Sequence, residues 1–319
     1  MDAAGFLTDL ERKPEVLGAL AQVVERGDFA PELADPVGPV LMLGMGSSAY
    51  AAGVAAARLR SLGVVASAEL ASSRLHPPPD PDLTVIAISA SGGSRETLDA
   101  VGPYLGRSRV VALTNEVGSP VTQGADVVWP MLAGPEVGGV ACRSFQHTIV
   151  ALLVLESVST GGDVGAVAGT VRAAAAASAD LLDRRADWLP EVAALLDGPD
   201  GCAVVAPAHR LSSAQQSSLM MREGPRRPAV ACETGDWSHV DVYLTRTLDY
   251  RMLLFPGSPY EPELLRWTGE RGSTVVSVGE ETPGVAGVVR YRHDDIDDVR
   301  LLSEVLVAEL VAHAWWAAT

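Results

Sequence analysis

The stretch Ile86-Ala87-Ile88-Ser89-Ala90-Ser91-Gly92-Gly93-Ser94 decides how this chain folds. Together with Leu83-Thr84-Val85 it begins as an apolar run rich in β-branched residues, typical of a strand buried on both faces of a parallel sheet. The segment after it, Arg95 to Val101, has the composition and apolar spacing of a helix. The turn between them leaves backbone N–H groups at a helix N-terminus, where the helix dipole favours an anion. The predicted phosphate ligands in this turn are the hydroxyl groups of Ser89, Ser91 and Ser94.

A second strand, turn and helix of the same kind lies upstream. Val40 to Leu43 is a compact apolar strand, and an alanine-rich helical segment extends to about Leu62. The turn between them contributes Gly46, Ser47 and Ser48. Because ligands of doubly wound sheets bind outside the carboxyl ends of the strands, we expect both turns to converge on one phosphate.

Two other interpretations of these turns stay open. Serine is a favoured N-cap, so the five serines could serve only to begin helices. Gly44, Gly46 and Ala49, with Glu69 after the next strand, also fit a loose dinucleotide fingerprint. Hydroxyl-rich turns suit a single phosphate better than a pyrophosphate, so we predict no nucleotide and no other cofactor.

Composition and charge exclude several classes of partner. The 319 residues carry a formal net charge of −16, so neither nucleic acid nor an anionic membrane is expected to bind. Three widely spaced cysteines form no disulfide or zinc pattern, and the first residues lack the features of a signal peptide. We therefore expect a cytoplasmic protein. The aspartates between Asp294 and Asp298 are interpreted as a solvated loop, and we predict no metal site.

The order of apolar strands and helices predicts an α/β protein with two tandem, doubly wound parallel-sheet subdomains of the flavodoxin-like kind, joined by helical linkers. An alanine-rich helical region, broken at Gly161-Gly162, separates the halves. The strands predicted in the second half are Cys202–Ala206, Met252–Phe255 and Thr274–Val278. The predicted boundaries are 1–30 for an N-terminal helical segment, 31–160 for the first subdomain, 161–198 for the linker and 199–319 for the second subdomain.

Four segments carry a resemblance to a known family. Gly46-Ser47-Ser48 resembles a Gly-Thr-Ser turn, and Ser89 to Ser94 resembles Ser-Gln-Ser-Gly-Glu-Thr. Leu219-Met220-Met221-Arg222-Glu223 resembles Leu-Lys-Leu-Lys-Glu, and Phe6 to Pro14 resembles an opening helix with Met-x-x-Glu-Ile-x-Glu-Gln-Pro. These motifs belong to the sugar isomerase (SIS) family, in particular to the isomerase half of glucosamine-6-phosphate synthase.

The resemblance implies a site and a reaction. It implies that the two serine turns hold a sugar phosphate and that Glu223 moves the proton between C1 and C2 of the sugar. His239, sixteen residues after Glu223, stands where the family places the histidine that opens the sugar ring. In the family that histidine comes from the neighbouring subunit, so a homodimer is expected. The alternative is that Glu223 and His239 are ordinary surface residues.

Departures from the family pattern leave a second function open. Ala90 and Gly93 replace polar residues of the phosphate loop, and Ala206-Pro207-Ala208 replaces a Gly-Arg-Gly turn, so a second phosphate site there is not expected. No counterpart of the family's glutaminase domain or lysine-bearing C-terminal tail is recognised. We therefore expect a sugar-phosphate isomerase or amino-sugar-phosphate isomerase or deaminase that does not use glutamine. The alternative is a SIS protein that binds and senses a sugar phosphate without converting it.

Overall fold

The computed structural model describes residues 1–29 and 38–319. The chain divides into two compact units, each containing one parallel sheet of five strands. The first-sheet unit comprises Val16–Pro135 and Ala141–Arg172. The second-sheet unit comprises Met1–Glu15, Glu136–Val140 and Ala173–Thr319. The predicted α/β architecture with two tandem parallel sheets is confirmed.

Two helices open the chain. They are α1 (Ala3–Glu11) and α2 (Lys13–Glu25), which meet near Pro14. Pro14 lies in the first turn of α2, where the missing N–H has no intrahelical partner to lose. Asp2 caps the N-terminus of α1, because its carboxylate accepts a hydrogen bond of 2.7 Å from the Gly5 N–H.

The first sheet has the strand order β2-β1-β3-β4-β5, and all its pairs are parallel. Its strands are β1 (Val40–Gly44), β2 (Ala66–Leu70), β3 (Thr84–Ile88), β4 (Arg109–Thr114) and β5 (Val127–Pro130). Both β1 and β3 are buried along their whole length, as their unbroken apolar sequences predict.

The helices of the first-sheet unit follow from this strand order. Besides most of α2, they are α3 (Ser47–Ser61), α4 (Arg95–Val101), α5 (Arg143–Ser159) and the first part of α6 (Val164–Asp183). The chain moves in opposite directions from β1 to β2 and from β3 to β4. Right-handed crossovers therefore place α3 and α4 on opposite faces of the sheet. Helix α3 packs on α5, where Arg58 donates two hydrogen bonds to the Glu156 carboxylate.

The second sheet has the strand order β10-β9-β8-β6-β7, again entirely parallel. Its strands are β6 (Cys202–Ala206), β7 (Ala229–Glu233), β8 (Arg251–Leu254), β9 (Thr274–Val278) and β10 (Gly287–Val289). The predictions for β6 and β9 match residue for residue, whereas both edge strands, β7 and β10, were not predicted. The remaining helices are α7 (Arg185–Leu196), α8 (Leu211–Glu223), α9 (Thr234–Trp237), α10 (Glu261–Glu270), α11 (Asp297–Ser303) and α12 (Val305–Ala317).

The two connections of β7 lie on opposite faces of the second sheet. Helix α8 leads from β6 outward to β7, and the chain then returns past β6 to β8 through α9 and a 3₁₀ segment, Asp241–Arg246. The chain crosses the sheet in opposite directions from β6 to β7 and from β7 to β8, so two right-handed crossovers lie on opposite faces. The packing agrees, because Trp237 and Val242 share a core with the inner strands and with Leu264 of α10, whereas α8 packs on α12.

The described residues were searched for a membrane-spanning helix, a metal site and a reactive cysteine. No helix within residues 1–29 and 38–319 has the length and apolar character needed to cross a bilayer. In the same residues no group of three or more His, Cys, Asp or Glu side chains is placed to hold a metal ion. All three cysteines are buried and form no disulfide with one another, and burial raises the pKa of Cys202 and of Cys232 to about 12. Those two thiols are therefore protonated, inert core groups at neutral pH.

Candidate functional site

The two serine turns lie side by side at the carboxyl edge of the first sheet. Strands β1 and β3 are direct neighbours, paired from Val40 with Thr84 to Leu43 with Ala87. From this pair the chain continues to β2 on one side and to β4 on the other, so the crevice between them is the topological switch point of the sheet. The structure thus brings the two predicted turns together at the place where such sheets bind ligands.

The first turn offers an uncapped helix N-terminus and two unused hydroxyl groups. Gly46 precedes α3 with a φ of +52°, a left-handed conformation that favours glycine, and no side chain caps the helix. Ser47 and Ser48 are partly exposed in the first turn of α3. Neither hydroxyl forms a hydrogen bond in the part of the chain that the structure describes. These two hydroxyls do not cap α3, and an anion could accept from both.

The second turn is held tightly around Ser89 and Gly92. Ser89 is 5% exposed, its backbone N–H donates to Leu113 O at 3.0 Å, and its hydroxyl makes no hydrogen bond among the described residues. Gly92 has a φ of +64°, and a Cβ there would lie 1.8 Å from Ser119 Oγ, so the turn requires glycine. Ser91 is exposed, and its hydroxyl accepts a long contact of 3.4 Å from the Gly93 N–H.

Ser94 differs from the other serines because it caps α4. Its hydroxyl accepts from the Thr97 N–H at 3.5 Å and from the Thr97 hydroxyl at 3.3 Å, and it donates to Glu96 Oε2 at 3.1 Å. Hydrogen bonds from its own backbone N–H and from Ser94 lower the pKa of the Glu96 carboxyl. For Ser94 the structure therefore favours the capping interpretation, whereas Ser47, Ser48 and Ser89 keep their hydroxyls available.

Glu223 is a partly buried carboxylate without a hydrogen-bond partner. It is the last residue of α8, and the next residue, Gly224, packs against the indole of Trp316. Burial raises the pKa of the Glu223 carboxyl, and the charge of Arg222 offsets part of this effect. Its side chain makes no hydrogen bond or ion pair within residues 1–29 and 38–319. Such a group has the properties of a general base.

His239 lies in an exposed turn after α9. Its backbone N–H donates to Asp236 O at 2.9 Å, and its imidazole is open to solvent. The turn belongs to the connection that crosses the face of the second sheet opposite to α8. Within a single chain, Glu223 and His239 therefore lie on connections that pack against opposite faces of the second sheet.

The carboxyl edge of the second sheet is occupied by ion pairs that the sequence did not reveal. Arg210 follows β6, is 1% exposed, and donates to the buried Glu304 carboxylate and to Pro256 O. Asp297 lies 3.3 Å from Arg210 Nε and 2.8 Å from His209 Nε2, and hydrogen bonding to His209, followed by the charge of Arg210, lowers its pKa. Asp294 is likewise paired, with Arg290. These carboxylates neutralise neighbouring cations.

Comparisons with known proteins agree with this architecture. A family model described as SIS domain matches residues 36–157. The glutamine–fructose-6-phosphate aminotransferase [isomerizing] of Aeropyrum pernix is 28% identical over 218 residues, which are 65% of this chain and 35% of that protein. The chain thus spans about a third of the length of this curated relative.

Two solved structures share the fold over nearly the whole chain. The C-terminal domain of glucosamine-fructose-6-phosphate aminotransferase from Francisella tularensis superposes with a TM-score of 0.82 at 15% identity, covering 98% of this chain and 95% of that one. Tagatose-6-phosphate ketose/aldose isomerase from Escherichia coli gives 0.79 at 16% identity, covering 100% and 94%. Residues 36–157 therefore carry a SIS domain, and the chain is homologous to the isomerase domain of glutamine–fructose-6-phosphate aminotransferase.

Proposed function

We propose that this protein is a phosphosugar isomerase-type enzyme. Its substrate is a hexose or amino-hexose phosphate, and it interconverts aldose and ketose at C1–C2, with or without the addition or release of ammonia. The observation that carries the proposal is the pair of turns at the switch point of the first sheet, where Ser47, Ser48 and Ser89 keep unbonded hydroxyl groups. Neutral donors and a helix N-terminus can hold a phosphate on a chain whose net charge is −16.

In this proposal Glu223 is the general base. Its carboxylate removes the proton from C2 of the open-chain aldose while O1 gains a proton, which gives the enediol. The same group then delivers its proton to C1 while the C2 hydroxyl loses its proton, so that O2 becomes the ketose carbonyl and the net change on oxygen is one proton moved from O2 to O1. In the amino sugar the intermediate is the corresponding enolamine. A base whose pKa is raised by burial holds the proton more firmly between the two steps. His239 opens the ring by moving a proton between the anomeric hydroxyl and the ring oxygen.

The proposed reaction requires a second copy of the chain. Since the second sheet separates Glu223 from His239 within one chain, the histidine that acts with a given Glu223 belongs to the other subunit. The surface next to His239 supports a homodimer, because the apolar side chains of Val240 and Tyr243 are 55% and 66% exposed. Exposed apolar surface of this kind is typical of contact regions between proteins.

One observation favours a second candidate function, a protein that binds a sugar phosphate without converting it. The loop that carries Ser89 and Ser91 has Ala90 and Gly93 where the family has polar side chains, so fewer groups remain to orient the sugar. Phosphate contacts alone give affinity, whereas catalysis also needs the reacting carbons held against the base.

An assay of the purified protein separates the two functions. We expect turnover of fructose 6-phosphate, with and without ammonia, or of glucosamine 6-phosphate in the reverse direction. A rise in melting temperature with these sugar phosphates but no turnover would support the binding protein. If neither these sugar phosphates nor inorganic phosphate raises the melting temperature, both functions are rejected.

Replacing Ser89 and Ser94 by alanine should have opposite consequences. Ser94→Ala removes a helix cap and should lower the free energy of unfolding by about 1 kcal/mol, leaving phosphate affinity nearly unchanged. Ser89→Ala should change stability by less than about 0.5 kcal/mol, because its hydroxyl has no partner to lose. It should weaken phosphate binding about tenfold, the effect of losing one hydrogen bond to a charged group. Urea unfolding and phosphate titration of both variants measure this contrast, and the reverse pattern would contradict it.

A further inference from the structure

Leu132 adopts a backbone conformation that leucine rarely takes. Its φ is +60°, and only Arg226 and His293 share a positive φ among the described residues other than glycine. A bulky side chain in the left-handed region is strained, whereas asparagine or glycine is tolerated there. Leu132 is also 44% exposed, although Met131 and Ala133 on either side are fully buried. An exposed and strained leucine is unfavourable for the fold on both counts, which indicates a role outside folding.

Hydrogen bonds on both sides fix Leu132 in this conformation. The Met131 N–H donates to Thr114 O at 2.8 Å, and Met131 O lies 2.8 Å from His147 Nδ1. The Ala133 N–H donates to Asn115 Oδ1 at 2.9 Å, and Asn115 Nδ2 donates to the next carbonyl along the loop at 2.8 Å. Because the chain is held before and after it, Leu132 is fixed at the carboxyl edge of the sheet with its side chain exposed.

The same residues connect Leu132 to the phosphate turn. The Asn115 N–H donates to Ala90 O at 3.1 Å, and the Thr114 hydroxyl contacts that oxygen at 3.3 Å. Ala90 lies between Ser89 and Ser91 in the turn after β3, and Leu132 follows β5 at the same edge. One strand separates β3 from β5, a distance of about 10 Å across the sheet. The β1–β3 crevice lies half a strand spacing further away, about 12 Å from β5, so a sugar whose phosphate is held there and which extends along this edge is directed toward Leu132.

We propose that Leu132 determines the specificity of this site for a sugar phosphate that carries an apolar substituent. The proposal rests on the proposed function, because it takes the phosphate to lie between the two serine turns. Leu132 supplies an apolar contact, and Ala90 and Gly93 add no polar side chain at their own positions in the neighbouring turn. Both ligand types that fit this proposal are hexose 6-phosphates with an apolar group, which is either the methyl of an N-acetyl group or the methylene of a deoxy sugar.

Thermal-shift titrations of the wild type, Leu132→Asn and His293→Asn test this proposal. The probes are inorganic phosphate, glucosamine 6-phosphate, N-acetylglucosamine 6-phosphate and 2-deoxyglucose 6-phosphate. Asparagine tolerates the left-handed conformation, so neither variant should melt lower than the wild type, and Leu132→Asn should melt about 2 °C higher. His293→Asn is the matched control, because it changes a residue with a φ of +63° outside the serine turns.

The wild type should bind at least one of the two apolar-substituted sugar phosphates about tenfold more tightly than glucosamine 6-phosphate, the effect of one well-placed methyl or methylene group. Leu132→Asn should lose this preference and keep its affinity for inorganic phosphate, and His293→Asn should keep both. The substituted probe that shows the preference identifies the group. Phosphate binding with an unchanged preference in Leu132→Asn, or with none in the wild type, overturns this proposal alone. The absence of binding by all four probes overturns the proposed function as well.

Discussion

Glu223→Gln is expected to abolish turnover while phosphate binding remains. The amide cannot accept a proton from carbon, so kcat should fall by a factor of about 10²–10⁴ or more. The phosphate is assigned to the turns of the first sheet, so the concentration of sugar phosphate that raises the melting temperature should change little. Turnover comparable to that of the wild type would remove Glu223 from the mechanism, and the simultaneous loss of phosphate binding would show that the substitution disturbs more than the base.

The same substitution should make the protein more stable at neutral pH. The pKa of the Glu223 carboxyl is raised above its ordinary value of 4.5, so its ionised form is less favourable in the folded than in the unfolded state. This cost is absent where both states are protonated, and it grows as the pH rises above 4.5. Glutamine removes the cost, so the melting temperature of Glu223→Gln should exceed that of the wild type at pH 7. The difference should shrink toward pH 4.

Glu270→Gln is the matched control for both effects. Glu270 is also the last residue of a helix, α10, but it is exposed. The same change of charge at the same position in a helix should therefore leave turnover unaltered and produce no comparable gain in stability. Equal stabilisation in both variants would assign the gain to the helix dipole, which disfavours a negative charge at a C-terminus, and not to burial.

The interior of the fold was predictable from sequence, whereas the edge strands of the second sheet, β7 and β10, were not. Strands such as β6 and β9 are buried, so an unbroken run of apolar residues marks them. The edge strand β7 has the sequence Ala-Val-Ala-Cys-Glu, and its second residue, Val230, is 59% exposed. Its run of four apolar residues is short and contains two alanines, and its burial does not alternate strictly, so the sequence gives only a weak strand signal.

In the candidate site, too, the sequence predicted what depends on neighbouring residues and missed what depends on contacts between distant ones. The sequence placed five serines at strand ends, but it could not separate Ser94, which caps a helix, from Ser89, which does not. That difference depends on the orientation of each hydroxyl. The role of Asn115 depends on strands that are brought together only in the folded sheet, and the Arg210–Glu304 pair joins residues 94 positions apart. No local pattern contains such contacts.

The missed strand β7 also concealed the geometry of the proposed catalytic pair. If β7 is not recognised, the sixteen residues from Glu223 to His239 look like a single connecting loop, and the two side chains could belong to one site. With β7 in place the chain crosses the edge of the sheet between them, and they lie on opposite faces. The spacing is therefore compatible with the proposed mechanism only if two subunits combine.

Mixing two inactive variants should consequently restore activity. Glu223→Gln lacks the base and His239→Ala lacks the ring-opening group, so each homodimer should be at least about 10²-fold slower than the wild type on a ring-closed substrate. After unfolding and refolding together in equal amounts, half of the dimers contain one subunit of each kind. In such a dimer one of the two sites combines the intact Glu223 of one subunit with the intact His239 of the other. The mixture should therefore recover about a quarter of the wild-type activity, as a C₂ dimer with shared sites requires.

The control uses the same procedure with a partner that cannot complement. Glu223→Gln mixed with the double variant Glu223→Gln/His239→Ala contains no intact Glu223, so every dimer lacks a complete site and activity should stay at the background. Tagging one variant and isolating the mixed dimer by affinity confirms that subunits have exchanged. If isolated mixed dimers of the single variants remain inactive, the site is not shared between subunits. Since the sheet keeps Glu223 and His239 apart within a chain, His239 would then have no part in the reaction, and the ring would have to open by another group or without one.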